Sequence, residues 1–437
     1  MESVQINKLR EKEGSILIVA VMFATIAAVS IGSFIRIAGT EMRMANSNLY
    51  GVASLNLAEA GVEEALYAIN RADNGAWATQ GWTSSFSGNR RENVFNGYEL
   101  GSGATGEVHV VVNNANSDDP TVVAEGRVMY RGDLTATRQL EIRLRKRTFF
   151  ASGMTSREEI VFSGGQVSVA SYLSSDPDAG IRDNGSVASN SVKEDSITIG
   201  NADIWGYVAT RGTDPVIRNG TVRGEDTPDG VSVDPDRISM DFSSSFPTVS
   251  NPDGLTAVPY TGELLLGDPL FDTPIAYQAD DISFSGQEEL VVRGDVILIV
   301  HNDFRLTGGA KITVSEGASL QMYVGGDVHI RGNGMVNATG LPENLQVYGT
   351  STDHEQDFSM GGGPSWHAAV YAPNAILSMN GGGNSGEFRG SVVGKRITMN
   401  GNSTFLYDED LAGVAAPDGN FGMARWHELR GNARHTL

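Results

Sequence analysis

The 437-residue chain has no cysteine, few prolines and far fewer basic than acidic residues. The absence of cysteine excludes disulfides, thiol catalysis and zinc–thiolate sites. Its 53 Asp and Glu residues outnumber 32 Lys and Arg residues, so the formal net charge is -21. Such a surface repels nucleic acid and anionic lipid headgroups, whose binding proteins need basic patches. We therefore expect no nucleic-acid partner.

Recognisable catalytic motifs are missing as well. The seven histidines are scattered, and the sequence contains neither an HExxH motif nor a glycine-rich nucleotide loop. The densest group of reactive side chains is Asp353, His354, Glu355 and Asp357, which either acts on a sugar or holds a metal, or forms a solvated loop. We expect no enzyme, and we assign no catalytic, cofactor-binding or metal-binding residue.

Calcium is the one cofactor that the sequence leaves open. The pairs Asp176/Asp178 and Asp234/Asp236 offer oxygen ligands but lack the spacing of a calcium loop, so turns explain them equally. Two RGD tripeptides, at residues 131–133 and 293–295, either engage a host receptor or mark turns.

A long apolar run stands near the start of the chain. Residues 15–35 (SILIVAVMFATIAAVSIGSFI) carry no charge, and about 20 helical residues span a bilayer core. The run exceeds the apolar core of a signal peptide, which is about 7 to 15 residues long. A short charged leader, residues 1–14, precedes it. We expect a single membrane crossing with the leader in the cytoplasm.

Helical periodicity continues beyond the apolar run. Apolar residues recur at mostly three- and four-residue steps, which predicts one extended helix over residues 15–72 with an apolar face in its second half. The residues of that predicted face are Leu49, Val52, Leu55, Val62, Leu66 and Ile69.

The segment 73–148 reads as an antiparallel sheet that covers the amphipathic half of the helix. Leu140, Ile142 and Leu144 alternate with charged residues, so one face of their strand is buried. A basic cluster at the end of this strand either binds an acidic neighbour or lies at a solvated strand edge; it consists of Arg143, Arg145, Lys146 and Arg147.

Residues 149–437 predict a mainly-β domain with glycine corners. The segments AILSMNGGG (375–383) and KRITMNGNS (395–403) match at a shift of 20 residues, which favours a right-handed parallel β-helix and leaves a β-sandwich as the alternative. We expect Asn380 and Asn400 to stack as an amide ladder. An irregular insertion at about 212–280 interrupts the coils, and the C-terminal segment is expected to cap the open end. The predicted inward residues are Ile197, Ile199, Ile204, Val208, Ile282, Phe284, Val296, Leu298, Phe304, Leu306, Ile312, Val314, Leu320, Met322, Val328, Ile330, Val370, Ile376, Val392, Ile397 and Phe405.

This layout, a charged leader, a glycine and a helix apolar first and amphipathic later, resembles the type IV prepilins. NLAEAGVEEALYAIN (56–70) resembles the helix of PilX-type minor pilins and pilus assembly proteins, and residues 371–411 resemble a glycine-rich C-terminal domain attached to PilX-like proteins. The resemblance implies that a prepilin peptidase cuts after Gly14 and leaves Ser15 as the new N-terminus. Ser15 and Val19 depart from the Phe and Glu that the family usually has there.

The resemblance further implies an α+β fold and a minor pilin-like component of a type IV pilus or related filament. Its role is structural, assembly-related or adhesive, and the chain lies in the inner membrane before reaching the pilus or cell surface. The implied partners are other pilins and minor pilins, the prepilin peptidase, the inner membrane and, for adhesion, a surface glycan or host receptor. Two alternatives stay open: a membrane-anchored carbohydrate-binding or carbohydrate-active protein, and a self-assembling envelope protein. The residues implied in filament packing are Ile16, Leu17, Val19, Phe23, Arg36, Glu41 and Arg43.

Overall fold

The computed structural model has an α+β fold with one long N-terminal helix and mainly strands thereafter. The chain divides into unit 1, Met1–Lys146 with Asn420–Leu437, and unit 2, Arg147–Gly419. Side chains are described from residue 17 onward, apart from those of 76, 78 and 432. The structure describes residues 2–71, 76–101, 103–163, 165–331, 334–361, 366–380, 386–417 and 419–435.

Unit 1 begins with a continuous helix, α1 (Glu2–Asn70), and a single turn, α2 (Ala76–Thr79). At 1.5 Å per residue α1 is about 100 Å long. It starts before the predicted residue 15, and the glycines along it do not interrupt it.

An antiparallel sheet follows in unit 1, as expected from its β-branched runs. Its neighbouring strands pair in chain order. Arg131 and Gly132 connect the last two strands with φ values of 55° and 90°. Both angles are typical of a two-residue hairpin turn, so the first RGD tripeptide has a structural explanation. The strands are β1 (Thr83–Ser85), β2 (Arg90–Gly101), β3 (Ala104–Asn113), β4 (Thr121–Tyr130) and β5 (Asp133–Lys146).

The second half of α1 packs on this sheet, but through a different face from the predicted one. Leu49 and Val52 are exposed, and Leu55 and Leu66 are only partly buried, although Val62 and Ile69 are buried as expected. Small residues form much of the contact because they let the helix approach the strands closely. The buried helical residues of this core are Leu57, Ala58, Val62, Ala65, Ala68 and Ile69.

Unit 2 consists of short strands that pair in parallel. They are β6 (Met154–Ser163), β7 (Val167–Tyr172), β8 (Gly185–Ser189), β9 (Ile197–Ile199), β10 (Asp203–Ala209), β11 (Val216–Ile217), β12 (Thr221–Arg223), β13 (Ile238–Ser239), β14 (Val258–Pro259), β15 (Leu265–Leu266), β16 (Ile275–Ala279), β17 (Ile282–Phe284), β18 (Glu289–Val292), β19 (Asp295–Val300), β20 (Phe304–Leu306), β21 (Lys311–Val314), β22 (Ser319–Val324), β23 (Val328–Ile330), β24 (Gly334–Asn337), β25 (Leu345–Gly349), β26 (Gln356–Gly361), β27 (Trp366–Asn380), β28 (Gly386–Asn400) and β29 (Ser403–Asp408). This parallel register is not the antiparallel one that the β-sandwich alternative requires.

The register places residues about 20 to 30 positions apart on top of one another. Phe304 pairs with Val328, Val328 with Phe358, and Leu377 with Ile397. Met379 and Asn380 pair with Met399 and Asn400, so the 20-residue echo in the sequence is a true structural repeat. Stacked strands share one continuous apolar core because each layer leaves its inward side chains for its neighbours to cover.

The chain enters this stack in its middle. Ile397 on β28 pairs with Ile160 on β6, and β29 likewise pairs with β7. From β6 the strands continue through β8 to β10, β12 and β13 at one end. The chain resumes at the opposite end with β14 and returns to the middle at β28. Both ends of unit 2 in the sequence therefore lie near its central layers.

The predicted inward residues form the core with one exception. All of them except Ile376 belong to one buried cluster. Ile376 is half-buried, and its neighbours Ala375 and Leu377 point inward instead. The prediction for Ile376 is therefore wrong by one residue, which places its side chain on the opposite face of the strand.

The irregular part of unit 2 is shorter than the predicted 212–280. Six short strands, β11 to β16, lie within that range, and the longest segment without a strand there is 240–257. Phe246 and Val249 from this segment pack on the outer aromatic residues Tyr348 and Tyr371, and the Tyr371 hydroxyl donates to the Pro247 carbonyl at 2.8 Å. The segment thus covers an outer face of the stack while connecting its two ends.

The C-terminal segment does not cap unit 2. It forms β30 (Phe421–Leu429), which pairs antiparallel with β5 in unit 1, with Phe421 opposite Lys146. Unit 2 therefore interrupts a β5–β30 hairpin as one large insertion. The basic residues of β5 lie on a strand between β4 and β30 and not at a sheet edge.

Candidate functional site

The strongest functional feature is the exposed first half of α1, which we call the stem (residues 17–49). Every stem residue except Gly39 is exposed, including large apolar side chains such as Leu17, Phe23 and Phe34. By length and composition this helix is able to cross a membrane. The surface of a soluble protein seldom exposes so long an apolar run, because leaving each large apolar side chain in water forgoes roughly 1.5–3 kcal/mol of burial free energy.

The predicted packing residues lie along the stem. Leu17, Val19 and Phe23 are exposed and unpacked, as a contact surface for lipid or another helix requires. Arg36, Glu41 and Arg43 are exposed, and within the described residues none of them forms an ion pair. Gly14, Ser15 and Ile16 lie within α1, but their side chains fall outside the described part.

Sequence reasoning missed a row of small residues on the stem. Ala20, Ala24, Ala28 and Gly32 follow one another at four-residue steps and are exposed. Residues at this spacing lie on one helical face, and small side chains let two membrane helices approach closely. The spacing is visible in the sequence.

The second half of α1 lies unusually close to the backbone of its sheet. A Cβ atom on Gly126 would lie 2.0 Å from the Ser54 carbonyl oxygen and 2.7 Å from the Ala58 nitrogen. A Cβ on Gly61 would lie 2.5 Å from a methyl of Val108. These glycines permit the contact, so Gly61 has a packing role that helical propensity alone does not predict.

The end of α1 is tied to the returning strand β30. The Asn70 amide donates to the Phe421 carbonyl at 3.1 Å, and the Phe421 N–H donates to the Asn70 Oδ1 at 2.6 Å. This amide pair reproduces a strand-like exchange of hydrogen bonds. It connects the last residue of the helix to the C-terminal strand and completes the fold of unit 1.

The reactive side chains at 353–357 do not converge on one site. His354 Nδ1 lies 2.9 Å from both Ser351 Oγ and Asp353 Oδ1, so both contacts fall on one ring nitrogen, unlike the two-sided contacts of a catalytic triad. The bond from His354 lowers the pKa of Asp353. Glu355 instead pairs with Lys395, while the Asp357 N–H donates to Asp327.

The proposed calcium ligands are parts of turns. Asp234 accepts from the Asp236 N–H at 3.1 Å and from the Thr227 hydroxyl at 2.7 Å, and Asp176 precedes a 3₁₀ turn. Among the described residues no group of three His, Cys, Asp or Glu side chains is placed to hold a metal.

The second RGD tripeptide occupies the corner before β19, where Gly294 has a φ of 75°.

The expected amide ladder is present in unit 2. The Asn400 amide donates to Asn380 Oδ1 at 3.2 Å, and Ser163 in the next layer donates to Asn400. A second ladder, not foreseen, runs through aspartates, where the Asp327 N–H donates to Asp303 Oδ1 at 2.9 Å. Arg305, followed by the Asp327 N–H, lowers the pKa of Asp303. Both ladders satisfy polar groups at the corners of the stack.

The basic residues at the end of β5 have local partners. Lys146 Nζ lies 2.8 Å from Asp118, and Arg145 Nε lies 3.7 Å from Asp119. Exposed pairs of this kind contribute little to stability. They nevertheless offset the positive charge of the cluster, which weakens the interpretation that it binds an acidic neighbour.

Comparisons with known proteins give limited matches. Residues 272–414 match a family described as "Domain of unknown function (DUF7305)". The chain is similar to the crystal structure of the competence-associated pilin ComZ from Thermus thermophilus, at 13% sequence identity over 87% of this chain and 97% of that chain, with a TM-score of 0.23. At that TM-score the similarity supports no argument about fold or mechanism. No curated protein matches this chain.

Proposed function

We propose that this protein is a non-enzymatic, pilin-like subunit, a minor component of a type IV pilus or related filament. The observation that carries the proposal is the single helix α1, exposed and apolar along its stem and packed on an antiparallel sheet along its second half. The stem is held by the inner membrane before assembly and by other subunits' helices afterwards. The small residues Ala20, Ala24, Ala28 and Gly32 form the closest helix–helix contact.

Charged residues just beyond the apolar run define the register of that packing. Arg36, Glu41 and Arg43 are exposed without ion-pair partners in the described part of the chain. In an apolar assembly an unpaired charge is costly, so each one favours a neighbour of opposite sign. The other pilins and minor pilins of the filament supply these neighbours.

In this proposal unit 2 forms a right-handed parallel β-helix and serves as a large head. Its parallel register and its stacked columns of buried side chains support the β-helix, and its insertion between β5 and β30 makes it an elaboration of a smaller helix-and-sheet subunit. A head of this size suits a low-abundance subunit with an assembly or adhesive role, whose target is a surface glycan or a host receptor.

The proposal is tested by asking whether a prepilin peptidase cuts the chain after Gly14. Mass spectrometry of the membrane fraction, from a host with an active peptidase, is expected to find Ser15 as the N-terminal residue. Gly14→Val should retain Met1. The matched control, Gly32→Val, makes the same change in the same helix at a glycine with open space around it, and it should still be cut. An intact Met1 on the unsubstituted chain would contradict the proposal.

A further inference from the structure

The two ends of the strand stack in unit 2 differ in construction. At one end the chain folds back over β12: the Val222 N–H donates to the Ser232 carbonyl, and the Asp234 N–H donates to the Val222 carbonyl, both at 2.9 Å, although within the described residues β11 and β13 beside it pair on one side only, with β9 and β10. We call this the closed end. At the other end, the open end, β14 and β15 each pair on one side only in the part of the chain that the structure describes, with β16 and β18. Stacks of repeats need covered ends because an uncovered last layer exposes its apolar residues.

The open end is apolar. Among the described residues of unit 2, ten large hydrophobic side chains are exposed, and six of these lie in the seventeen-residue segment 255–271. Together these six exposed side chains present on the order of 500 Å² of apolar surface, near the upper limit of what a monomer leaves uncovered. The six residues are Leu255, Val258, Leu264, Leu265, Leu270 and Phe271, and the other four are Ile181, Val192, Tyr207 and Met240.

The backbone of the open end is poorly suited to accept an added peptide strand. Both β14 and β15 are only two residues long, and Pro259 in β14 has no N–H to donate. Short strands and proline at an edge are devices that prevent strand addition. An occupant must therefore bind the apolar side chains and not extend the sheet.

Charge narrows the identity of the occupant. The segment 255–271 contains no Lys or Arg, and its two carboxylates bond within the chain: Glu263 accepts from the Thr261 hydroxyl at 2.6 Å, and Asp268 accepts from the Leu270 N–H at 3.0 Å. An anionic lipid surface gains no attraction here. The closed end carries Glu225, Asp226 and Asp229, so stacking it on the apolar open end of another copy would remove three charged side chains from water without partners.

We propose that the open end binds the open end of a second copy of this chain. A two-fold contact places the apolar patch against itself, and it closes at a dimer because each copy has then used its own patch. Burying the patch on both copies removes about 1,000 Å² of surface, the lower limit for a specific interface, so the dimer is weak and reversible. This inference does not rest on the proposed pilus function.

Cysteine cross-linking of the full-length chain in detergent tests the contact, because the natural sequence contains no cysteine. Leu270→Cys, at a side chain that is 88% exposed, is expected to give a covalent dimer with a short bismaleimide. The matched control, Val192→Cys, changes a 67% exposed apolar residue of unit 2 away from the open end and should remain monomeric. Added salt should increase the yield of the Leu270→Cys dimer because it screens the repulsion between the carboxylates of two facing open ends.

Further variants separate the competing outcomes. Leu264→Glu with Leu265→Glu, both exposed and therefore tolerated by the fold, should abolish the Leu270→Cys dimer while circular dichroism stays unchanged. Equal cross-linking of Leu270→Cys and Val192→Cys would overturn the proposal. So would cross-linking between Leu270→Cys and Glu225→Cys chains in a mixture, which indicates head-to-tail stacking. Protection of the Leu270→Cys thiol by lipid vesicles without any dimer would overturn it in favour of a membrane surface.

Discussion

Two glycines in one helix are expected to respond oppositely to the same substitution. Replacing glycine by alanine inside a helix gains up to about 1 kcal/mol of helical propensity. At Gly51 the added Cβ lies 3.5 Å from the Arg138 guanidinium, an ordinary contact, so Gly51→Ala should keep that gain. At Gly61 the Cβ lies 2.5 Å from Val108 Cγ1 and 2.8 Å from Val110 Cγ2, distances at which something must shift.

The cost at Gly61 should exceed the propensity gain. Overpacking a filled core costs about 1–3 kcal/mol, and both valines lie on strand β3 between two paired neighbours, so they have little room to move. Gly61→Ala should therefore destabilise unit 1 by roughly 1–2 kcal/mol, which is on the order of a tenfold change in the opening equilibrium.

Hydrogen exchange in the full-length chain measures this difference locally. Amides of β3 and β4 should exchange about tenfold faster in Gly61→Ala and no faster in Gly51→Ala. Adding Val108→Ala to Gly61→Ala should cost less than the two single changes combined, because it removes the clashing methyl group. If Gly61→Ala protects these strands as well as Gly51→Ala does, the close approach of helix and sheet is wrong.

Three further predictions concern unit 2 and the hairpin that it interrupts. Burial raises the pKa of Asp408, so the folded state favours the protonated carboxyl. The stability from this protonated form is fully present below the unfolded pKa of about 3.9 and is lost as the pH rises through the folded pKa. Asp408→Asn, which is neutral at every pH, should therefore raise the melting temperature near neutral pH but not in stronger acid. Asn400→Ala removes a ladder bond to Asn380 and should cost about 1 kcal/mol in chemical unfolding, whereas no change would show that the ladder is incidental. Replacing residues 147–420 by Asn-Gly should leave a folded unit 1, because Lys146 and Phe421 already face each other across a hairpin; loss of exchange protection in β3 and β4 would contradict this.

Local patterns predicted much of unit 2 because its repeats are close in sequence. Asn380 and Asn400 share a Met-Asn-Gly context, and a strand that repeats its own pattern tends to stack in register on its copy. Inward residues such as Phe304 and Leu320 follow from alternation, since successive side chains in a strand point to opposite faces. The prediction for Ile376 was wrong because the local pattern Ala-Ile-Leu allows either the middle residue or its two neighbours to point inward.

The candidate site was predictable where it depends on composition. The absence of charge over residues 15–35 is sufficient to predict an exposed, membrane-compatible helix. The large apolar residues of the second half of α1 did not predict which face of the helix packs on the sheet. Ala58, Ala65 and Ala68 lie against the sheet while Leu49 and Val52 do not, since close approach depends on the shape of the opposing strands.

By itself the sequence determined the long apolar helix, the alternating strands and the repeat that stacks residue 380 on residue 400, because each depends on neighbours within about 20 positions. Only the tertiary structure decided that Ile397 stacks on Ile160, and that β30 returns to β5 across the whole of unit 2. Such pairings join residues more than two hundred positions apart. No periodicity encodes them, because many apolar strands are able to occupy the same place in a layer, and the choice depends on the packing of the complete chain.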